Sequence, residues 1–186
     1  MKEQIFEVAI GQFNEKGLKF TMDDIARELS MSKKTLYTVF KNKDALFYEM
    51  VDYYFGQIKE AERQILENKE LDIIQKIHRI MIVLPERYKS IDLRQLYLMK
   101  EKYPKIYQKV AKRIENDWEP TIELLKQAMV EKRIRPINIT VLKVMIEATM
   151  EHFLQGSDLI DNNLAYEEAL EEMMQIIMKG IVVIHN

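Results

Sequence analysis

The stretch that decides the fold is Thr21–Leu46, TMDDIARELSMSKKTLYTVFKNKDAL. Its apolar residues recur at helical spacing, and the breaks in that spacing carry residues that begin helices. Thr21 stands three residues before Asp24, which is the pattern of a capping box. Ser32 is a good N-cap for the next short helix, and Asn42 for the one after it. The stretch therefore predicts three helix starts separated by short turns.

Another helix is predicted before this stretch. Ile5, Ala9 and Phe13 form one apolar face, and Gly17 accepts the left-handed conformation that often ends a helix. Two short helices joined by a turn of about three residues, after a first helix, form the helix-turn-helix arrangement. The second helix of that arrangement enters the major groove of DNA. We therefore predict a three-helix DNA-binding domain at the N-terminus.

The helix predicted over residues 33–40 has a packing side and a polar side. At 100° per residue, Leu36, Val39 and Phe40 cluster on one side. The opposite side and its flanks carry cationic and hydrogen-bonding side chains, namely Lys34, Thr35, Tyr37, Thr38 and Lys41. One side can pack against the domain while the other reads DNA.

Positive charge is concentrated around this helix. Residues 30–43 carry four lysines and no acidic residue, whereas residues 1–46 carry 8 basic and 7 acidic side chains. Lysine ammonium groups displace the counterions condensed on DNA phosphates, which favours binding. The whole chain has a net charge of −2, so it is not a polycation that coats nucleic acid. Any nucleic-acid site is therefore local.

Residues 5–47 resemble the DNA-binding domain of TetR-family transcriptional regulators. The matching residues are Ile5, Ala9, Phe13 and Gly17, then Thr21-Met22-x-x-Ile25-Ala26, then Ser32-x-x-Thr35-Leu36-Tyr37-x-x-Phe40-x-x-Lys43-x-x-Leu46. The resemblance implies DNA contacts by Thr21, Lys33, Thr35, Tyr37 and Lys43, and the polar side of the helix adds Lys34, Thr38 and Lys41. Ser30-Met31 departs from the family pattern, which has glycine and a small apolar residue there. A left-handed turn without glycine costs about 1 kcal/mol.

The remaining sequence is helical in pattern. Helices are predicted over about 43–66, 71–84, 91–101, 104–132, 138–155 and 164–184. Pro120 predicts a kink in the long helix of this set. With 5 Gly and 4 Pro in 186 residues, the chain has too few turn residues for a sheet fold. We predict an all-α chain with a helix-turn-helix domain at 1–46 and a helical effector-binding and dimerisation domain at 47–186.

The resemblance implies that the second domain binds a small-molecule effector and forms a homodimer. Aromatic and methionine side chains suit an apolar cavity with polar rims, although ordinary core packing is the alternative for each of them. The pocket candidates are Tyr97, Tyr107, Trp118 and Met145. Two helices that are apolar on more than one side supply the interface candidates Val141, Val144, Ala148, Leu170, Met174, Ile177 and Ile181.

Several classes of protein are disfavoured. The chain has no Cys, which excludes disulfides, thiolate zinc sites and cysteine nucleophiles and suits the cytoplasm. His78, His152 and His185 form no close ligand pair, so we predict no metal, and we assign no cofactor. No catalytic constellation appears, and no apolar stretch approaches the roughly 20 residues of a membrane span.

The leading hypothesis is a cytoplasmic, homodimeric regulator that binds a double-stranded DNA operator. The expected operator is palindromic, and a repressor that releases it on binding an effector is favoured. The first alternative is a helical ligand-binding or protein-interaction module. In this alternative the N-terminal helix-turn-helix domain, which we call the head, has weak or lost DNA binding. The second alternative is a helical enzyme.

Overall fold

The computed structural model describes residues 1–84, 94–116, 118–155 and 158–183. Within these ranges the elements are eleven α-helices, a turn of 3-10 helix at Gly17–Lys19 and an isolated antiparallel bridge between Ile134 and Val182. This confirms the predicted all-α fold. The helices are α1 (Lys2–Lys16), α2 (Met22–Glu28), α3 (Lys33–Val39), α4 (Lys43–Glu67), α5 (Ile73–Met81), α6 (Arg94–Lys102), α7 (Pro104–Asn116), α8 (Glu119–Val130), α9 (Ile139–Gln155), α10 (Asp158–Asp161) and α11 (Tyr166–Ile181).

The three helix starts predicted near the N-terminus are confirmed. The hydroxyl oxygen of Thr21 accepts from the Asp24 amide at 3.2 Å, and the Asp24 carboxylate accepts from the Thr21 amide at 2.8 Å. The capping box is therefore complete. Ser32 Oγ accepts from the amide of Thr35 at 3.0 Å, and Asn42 caps α4 in the same way. Each cap satisfies an amide that has no partner inside its helix.

Two turns in this region use left-handed backbone. Gly17 follows α1 with φ of 57°, as the sequence predicts. Ser30 lies between α2 and α3 with φ of 52°, a conformation that costs a residue with a Cβ roughly 1–2 kcal/mol. The amide of Met31 donates to the carbonyl of Ala26 at 2.9 Å, which closes the turn. The connection between the two short helices is thus made with a strained serine.

Ser30→Gly is expected to raise the free energy of unfolding by about 1 kcal/mol, because glycine adopts this φ without the steric penalty. Urea unfolding followed by circular dichroism measures the change. Asn163→Gly is the matched control: Asn163 also has φ of 52°, but asparagine tolerates that region, so its gain should be smaller. A Ser30→Gly chain less stable than the wild type would contradict the strain.

Contacts divide the chain into two compact units. The first unit comprises Met1–Gln57 and Glu86–Arg113, and the second comprises Ile58–Pro85 and Ile114–Asn186. The first unit thus contains the helix-turn-helix together with α6 and most of α7. The predicted domain boundary at residue 46 separates two functions rather than two compact units, and it stays a prediction.

The core of the first unit fixes the orientation of α3. Leu36 and Phe40 are buried, and Val39 packs partly buried against the same core, as the face analysis predicts. The ring of Phe47 lies 5.5 Å from that of Phe20 and 5.2 Å from that of Tyr103. Aromatic contacts therefore join the helix-turn-helix to the α6–α7 connection within this unit.

The core of the second unit is formed by α5, α8, α9 and α11. Its innermost side chains include Ile77, Leu125, Ile146 and Met174. The helix predicted over 104–132 is two helices, because α7 ends at Asn116 and α8 begins at Glu119. Proline is tolerated in the first turn of a helix, where its missing amide has no partner to lose. Pro120 therefore marks a new helix rather than the kink we expected.

Candidate nucleic-acid interface

The polar side of α3 faces solvent. Every side chain that the sequence assigns to this side is exposed, and the Tyr37 ring keeps 48% of its surface accessible. Leu36 fixes this orientation because it is fully buried on the opposite side. The exposed residues are Lys33, Lys34, Thr35, Tyr37, Thr38 and Lys41. This arrangement suits a helix that enters the major groove of DNA.

Two threonine hydroxyls on this face are already hydrogen-bonded. Thr35 Oγ1 lies 2.8 Å from Ser32 Oγ at the start of α3. Thr38 Oγ1 donates to the carbonyl of Thr35 at 2.6 Å, which uses its only proton. Thr38 can still accept a hydrogen bond and present its methyl group. It is therefore suited to the amino group of adenine or cytosine and to the methyl group of thymine.

The lysines around α3 differ in their engagement. Lys33 Nζ forms an ion pair with the Asp23 carboxylate of α2, and both side chains are exposed. An exposed pair of this kind contributes little stability and can be exchanged for a phosphate. Lys34 and Lys41 form no ion pair with any residue that the structure describes. These two ammonium groups are the cations of this face most accessible to DNA.

Lys43, another predicted DNA contact, is directed toward the 3-10 turn. Its ammonium group donates to the carbonyl of Leu18 at 2.9 Å and to that of Phe20, and lies 3.8 Å from the centre of the Phe20 ring. Burial, together with the nearby charge of Lys102, lowers the pKa of Lys43 to about 8. In this structure Lys43 therefore holds the 3-10 turn against the start of α4, which favours a structural role, and its predicted DNA contact stays a prediction.

Lys43→Met is expected to lower the free energy of unfolding at pH 7 by about 1 kcal/mol, since two carbonyls lose their donor. The slope of DNA affinity against salt should stay nearly unchanged. The unfolded chain binds more protons than the folded chain between pH 8 and 10.5, because folding lowers the pKa of Lys43 from 10.5 to about 8. The contribution of Lys43 to stability therefore rises with pH across this window, and Lys43→Met removes that rise.

Urea unfolding at pH 7 and pH 9.5 measures both effects for Lys43→Met. Lys41→Met is the matched control, because Lys41 is an exposed lysine two residues earlier. Two results together would show that Lys43 contacts a phosphate. The free energy of unfolding would change with pH in the same way in Lys43→Met and the wild type, and the salt slope of DNA binding would be clearly smaller in Lys43→Met.

Thr21, another predicted DNA contact, is exposed and faces an ionised carboxylate. Its hydroxyl donates to Asp24 Oδ2 at 2.7 Å, and Lys16 Nζ donates to Asp24 Oδ1 at 3.0 Å. The hydrogen bonds from Thr21, and then the one from Lys16, hold the pKa of Asp24 well below its usual range. Lys16 therefore offsets an acidic group that would otherwise repel a phosphate near Thr21.

The pocket candidates have different surroundings. The side chain of Tyr97 lies outside the described residues. Tyr107 is half-buried in the first unit. Trp118 is half-buried in the second unit, and its indole Nε1 donates to the carbonyl of Ile114 at 3.1 Å. Met145 is 55% exposed, and its place in a pocket stays a prediction.

The interface candidates divide by burial. Val141 and Val144 are 53% and 57% exposed on α9, and Met145 lies beside them. Ala148 is exposed, and Ile177 is half-buried. The other three interface candidates, Leu170, Met174 and Ile181, are only 2%, 0% and 5% exposed. Their assignment is corrected, because side chains that fill the core of their own unit have almost no surface left for a partner.

One exposed apolar residue of α11 was not among the interface candidates. Ile176 of α11 is 72% exposed, yet it belongs to the same apolar helix pattern as the buried Met174 and Met178. Periodicity alone does not separate the side of such a helix that packs within the chain from the side that remains exposed. We call Val141, Val144, Met145 and Ile176 the exposed apolar set.

None of the described helices is both long enough and apolar enough to cross a membrane. Across the same ranges, no three histidine or acidic side chains come together as a metal site.

Comparison with known proteins agrees with the geometry of α2 and α3. The sequence profile described as "Bacterial regulatory proteins, tetR family" matches residues 5–50. The uncharacterized HTH-type transcriptional regulator YvaF of Bacillus subtilis (strain 168) is 26% identical over 181 residues, covering 97% of this chain and 95% of the relative.

Solved structures share the fold over the whole chain. A TetR-family transcriptional regulator from Cytophaga hutchinsonii aligns with a TM-score of 0.70 at 19% identity, covering 99% of this chain and 96% of the other. The ketosteroid transcriptional regulator KstR2 of Mycobacterium tuberculosis aligns with a TM-score of 0.63 at 16% identity, covering 98% and 95%.

The exposed polar side of α3 and these comparisons indicate a DNA-binding transcriptional regulator. Residues 5–50 carry the signature of the TetR family, which lies in the N-terminal helix-turn-helix.

Proposed function

We propose that the chain is a cytoplasmic, homodimeric repressor that binds a palindromic operator and releases it when an effector binds. The observation that carries the proposal is the exposed polar face of α3, on which Lys34 and Lys41 are free of ion pairs with described residues. Buried Leu36 and Phe40 hold that face in a fixed orientation. Thr21, Lys33, Thr35, Tyr37 and Thr38 complete the proposed contact set.

The exposed apolar set supports dimerisation. Val141, Val144 and Met145 occupy one side of α9, and each is more than half exposed. A second copy of the chain is the proposed occupant, because regulators of this family usually dimerise. A two-fold axis places the same patch on both partners, so one apolar surface covers the other.

Two heads related by a two-fold axis read two half-sites. Their recognition helices are expected to enter successive major grooves roughly 34–36 Å apart, or at another spacing that matches the operator. The native mass of the complex with a duplex tests this proposal, which requires two chains per operator. A single chain that binds one half-site with the full affinity would contradict it.

We propose an apolar effector for the second unit. Isoleucine and leucine make up most of the core there, and three methionines, Met81, Met174 and Met178, are buried among them. Flexible, polarisable methionine side chains can repack around an apolar molecule at low cost. KstR2, which shares the fold, is named for ketosteroids, a class of apolar ligand. The effector weakens DNA binding only as far as it prefers the state that does not bind DNA.

Trp118 offers a direct readout for this effector. It is the only tryptophan of the chain, and it is half-buried in the second unit. Compounds that release DNA are expected to change its fluorescence if they bind near α8. A compound that releases DNA while the emission stays constant would move the effector site away from Trp118.

A second candidate function is a protein-interaction module with weak DNA binding. Lys33 is paired with Asp23, and Lys43 is directed into the head, so two of the four local lysines are engaged. Nanomolar binding of a selected duplex at 0.15 M salt would exclude this candidate. We propose no catalytic function.

A further inference from the structure

A second concentration of positive charge lies outside the helix-turn-helix. Residues 94–113 carry seven basic side chains and one acidic side chain, whereas the remainder of the chain carries 21 and 29. All of these twenty residues belong to the first compact unit, together with the helix-turn-helix. The charge is therefore carried by the same unit as the DNA-reading helix.

This segment is packed firmly into the head. Met99, Tyr103 and Ile106 are buried in the same hydrophobic core as Leu36 of α3. The Tyr103 ring lies 5.2 Å from that of Phe47. The end of α6 and the start of α7 therefore keep a fixed position relative to the recognition helix.

Some of these cations have partners on α4. Lys109 and Arg113 bind the carboxylate of Asp52 at 2.6 and 2.9 Å. Lys102 and Lys105, on either side of the α6–α7 connection, are exposed and form no ion pair with the residues that the structure describes. Their charge is available to a partner from outside the chain.

The α6–α7 connection adjoins the 3-10 turn of the helix-turn-helix. Helix α6 contacts that turn, and the charge of Lys102 acts on Lys43. The Lys43 ammonium binds the carbonyls on both sides of Lys19, which is itself exposed. We call Lys19, Lys102 and Lys105 the basic corner.

Acidic groups near the basic corner are few. Asp44 acts on both Lys43 and Tyr103, and it is the acidic group most directly opposed to the corner. Asp24 also acts on Lys43, but it is paired with Lys16. Glu101, next to Lys102 in sequence, is a second exposed acidic group without an ion pair among the described residues. The three lysines of the corner therefore outnumber two such acidic groups, Asp44 and Glu101.

We infer that the basic corner binds backbone phosphates of the duplex, next to the bases that α3 reads. Lys19 stands two residues before Thr21, a predicted DNA contact, so the corner continues that side of the head. Phosphates carry the charge that exposed lysines attract, and such contacts position a protein without reading sequence. Duplex DNA is favoured over an acidic protein because the corner is fixed to the DNA-reading head.

The test compares Lys102→Gln/Lys105→Gln with the wild type on a random-sequence 40-bp duplex, by fluorescence anisotropy at 50–200 mM salt. The slope of log affinity against log salt should fall by about 0.9 for each phosphate that the variant no longer neutralises. If each of the two lysines neutralises one phosphate, the affinity gap between variant and wild type should narrow about tenfold across that salt range. The control Lys69→Gln/Lys126→Gln makes the same charge change on exposed lysines of the second unit.

The inference rests on DNA binding by the head, and the two can fail separately. Wild-type chain that binds no duplex at 50 mM salt would overturn both. If the wild type binds and Lys102→Gln/Lys105→Gln has the same affinity and the same salt slope, the inference alone would be overturned. An acidic protein would then be the favoured partner of the corner. An equal loss in the control would also overturn it, since the effect would then follow net charge rather than position. Circular dichroism melting confirms that each variant is folded.

Discussion

Val144→Glu is expected to convert the proposed dimer to a monomer and to weaken operator binding by about 100-fold or more. Val144 is 57% exposed at the centre of the apolar side of α9, between Val141 and Ala148. A glutamate there would bring a carboxylate from each partner into an apolar interface. Opposed like charges cost several kcal/mol, and each 1.4 kcal/mol is tenfold in the dissociation constant.

Sedimentation velocity at micromolar concentration measures the mass of Val144→Glu, and DNA binding is measured on the same sample. Val130→Glu is a closely matched control, because Val130 is a valine of the same unit that is 82% exposed at the end of α8. The control should remain a dimer. A dimeric Val144→Glu chain with undiminished affinity would remove this side of α9 from the interface.

Lys34→Ala is expected to weaken binding to the selected operator by about 10- to 100-fold and to relax the preference at one or two base pairs. Lys34 is exposed on α3 and has no ion pair with a described residue, so its donors are available to guanine O6 and N7. Removing one base-reading side chain typically costs about 1–3 kcal/mol. Binding to random duplex should fall much less.

Two comparisons make the effect of Lys34→Ala specific. Lys33→Ala removes a neighbouring charge that is partly offset by Asp23, so its effect should be smaller and uniform across sequences. Lys69→Ala removes an exposed lysine from the second unit and should change neither affinity nor preference. Unchanged binding in Lys34→Ala would mean that the polar side of α3 does not read bases.

Local sequence signals predicted the head accurately. Capping by Thr21, Ser32 and Asn42 depends on side chains within three residues of the amides they bind, so pattern alone was sufficient. The left-handed turn at Ser30 was expected from the family resemblance, because the family has glycine at that position. The packing of Leu36 followed from helical periodicity.

The sequence pattern did not predict the long-range contacts. Lys43 binds carbonyls more than twenty residues earlier, and Lys33 pairs with an aspartate on another helix. Neither partner is marked by spacing. The basic corner has a sequence signal, the run of cations over 94–113, but its place beside the 3-10 turn depends on the tertiary packing of Tyr103.

The sequence predicted the helices of the second unit but not which side of each helix packs into the core. Leu170 and Met174 fit an interface pattern and a core pattern equally well, because both have helical spacing. The structure places them in the core and exposes Ile176 instead. Burial of this kind depends on which helices pack together, which one amphipathic sequence does not specify.

Reading of DNA by α3 within a two-fold dimer can be tested directly. The measurement is to select bound duplexes from a random pool with the purified chain at moderate salt, without added effector, and to sequence them. We expect enrichment of one two-fold-symmetric site with half-sites about one helical turn apart. Recovery of no enriched sequence by a folded, helical chain would contradict this role for α3.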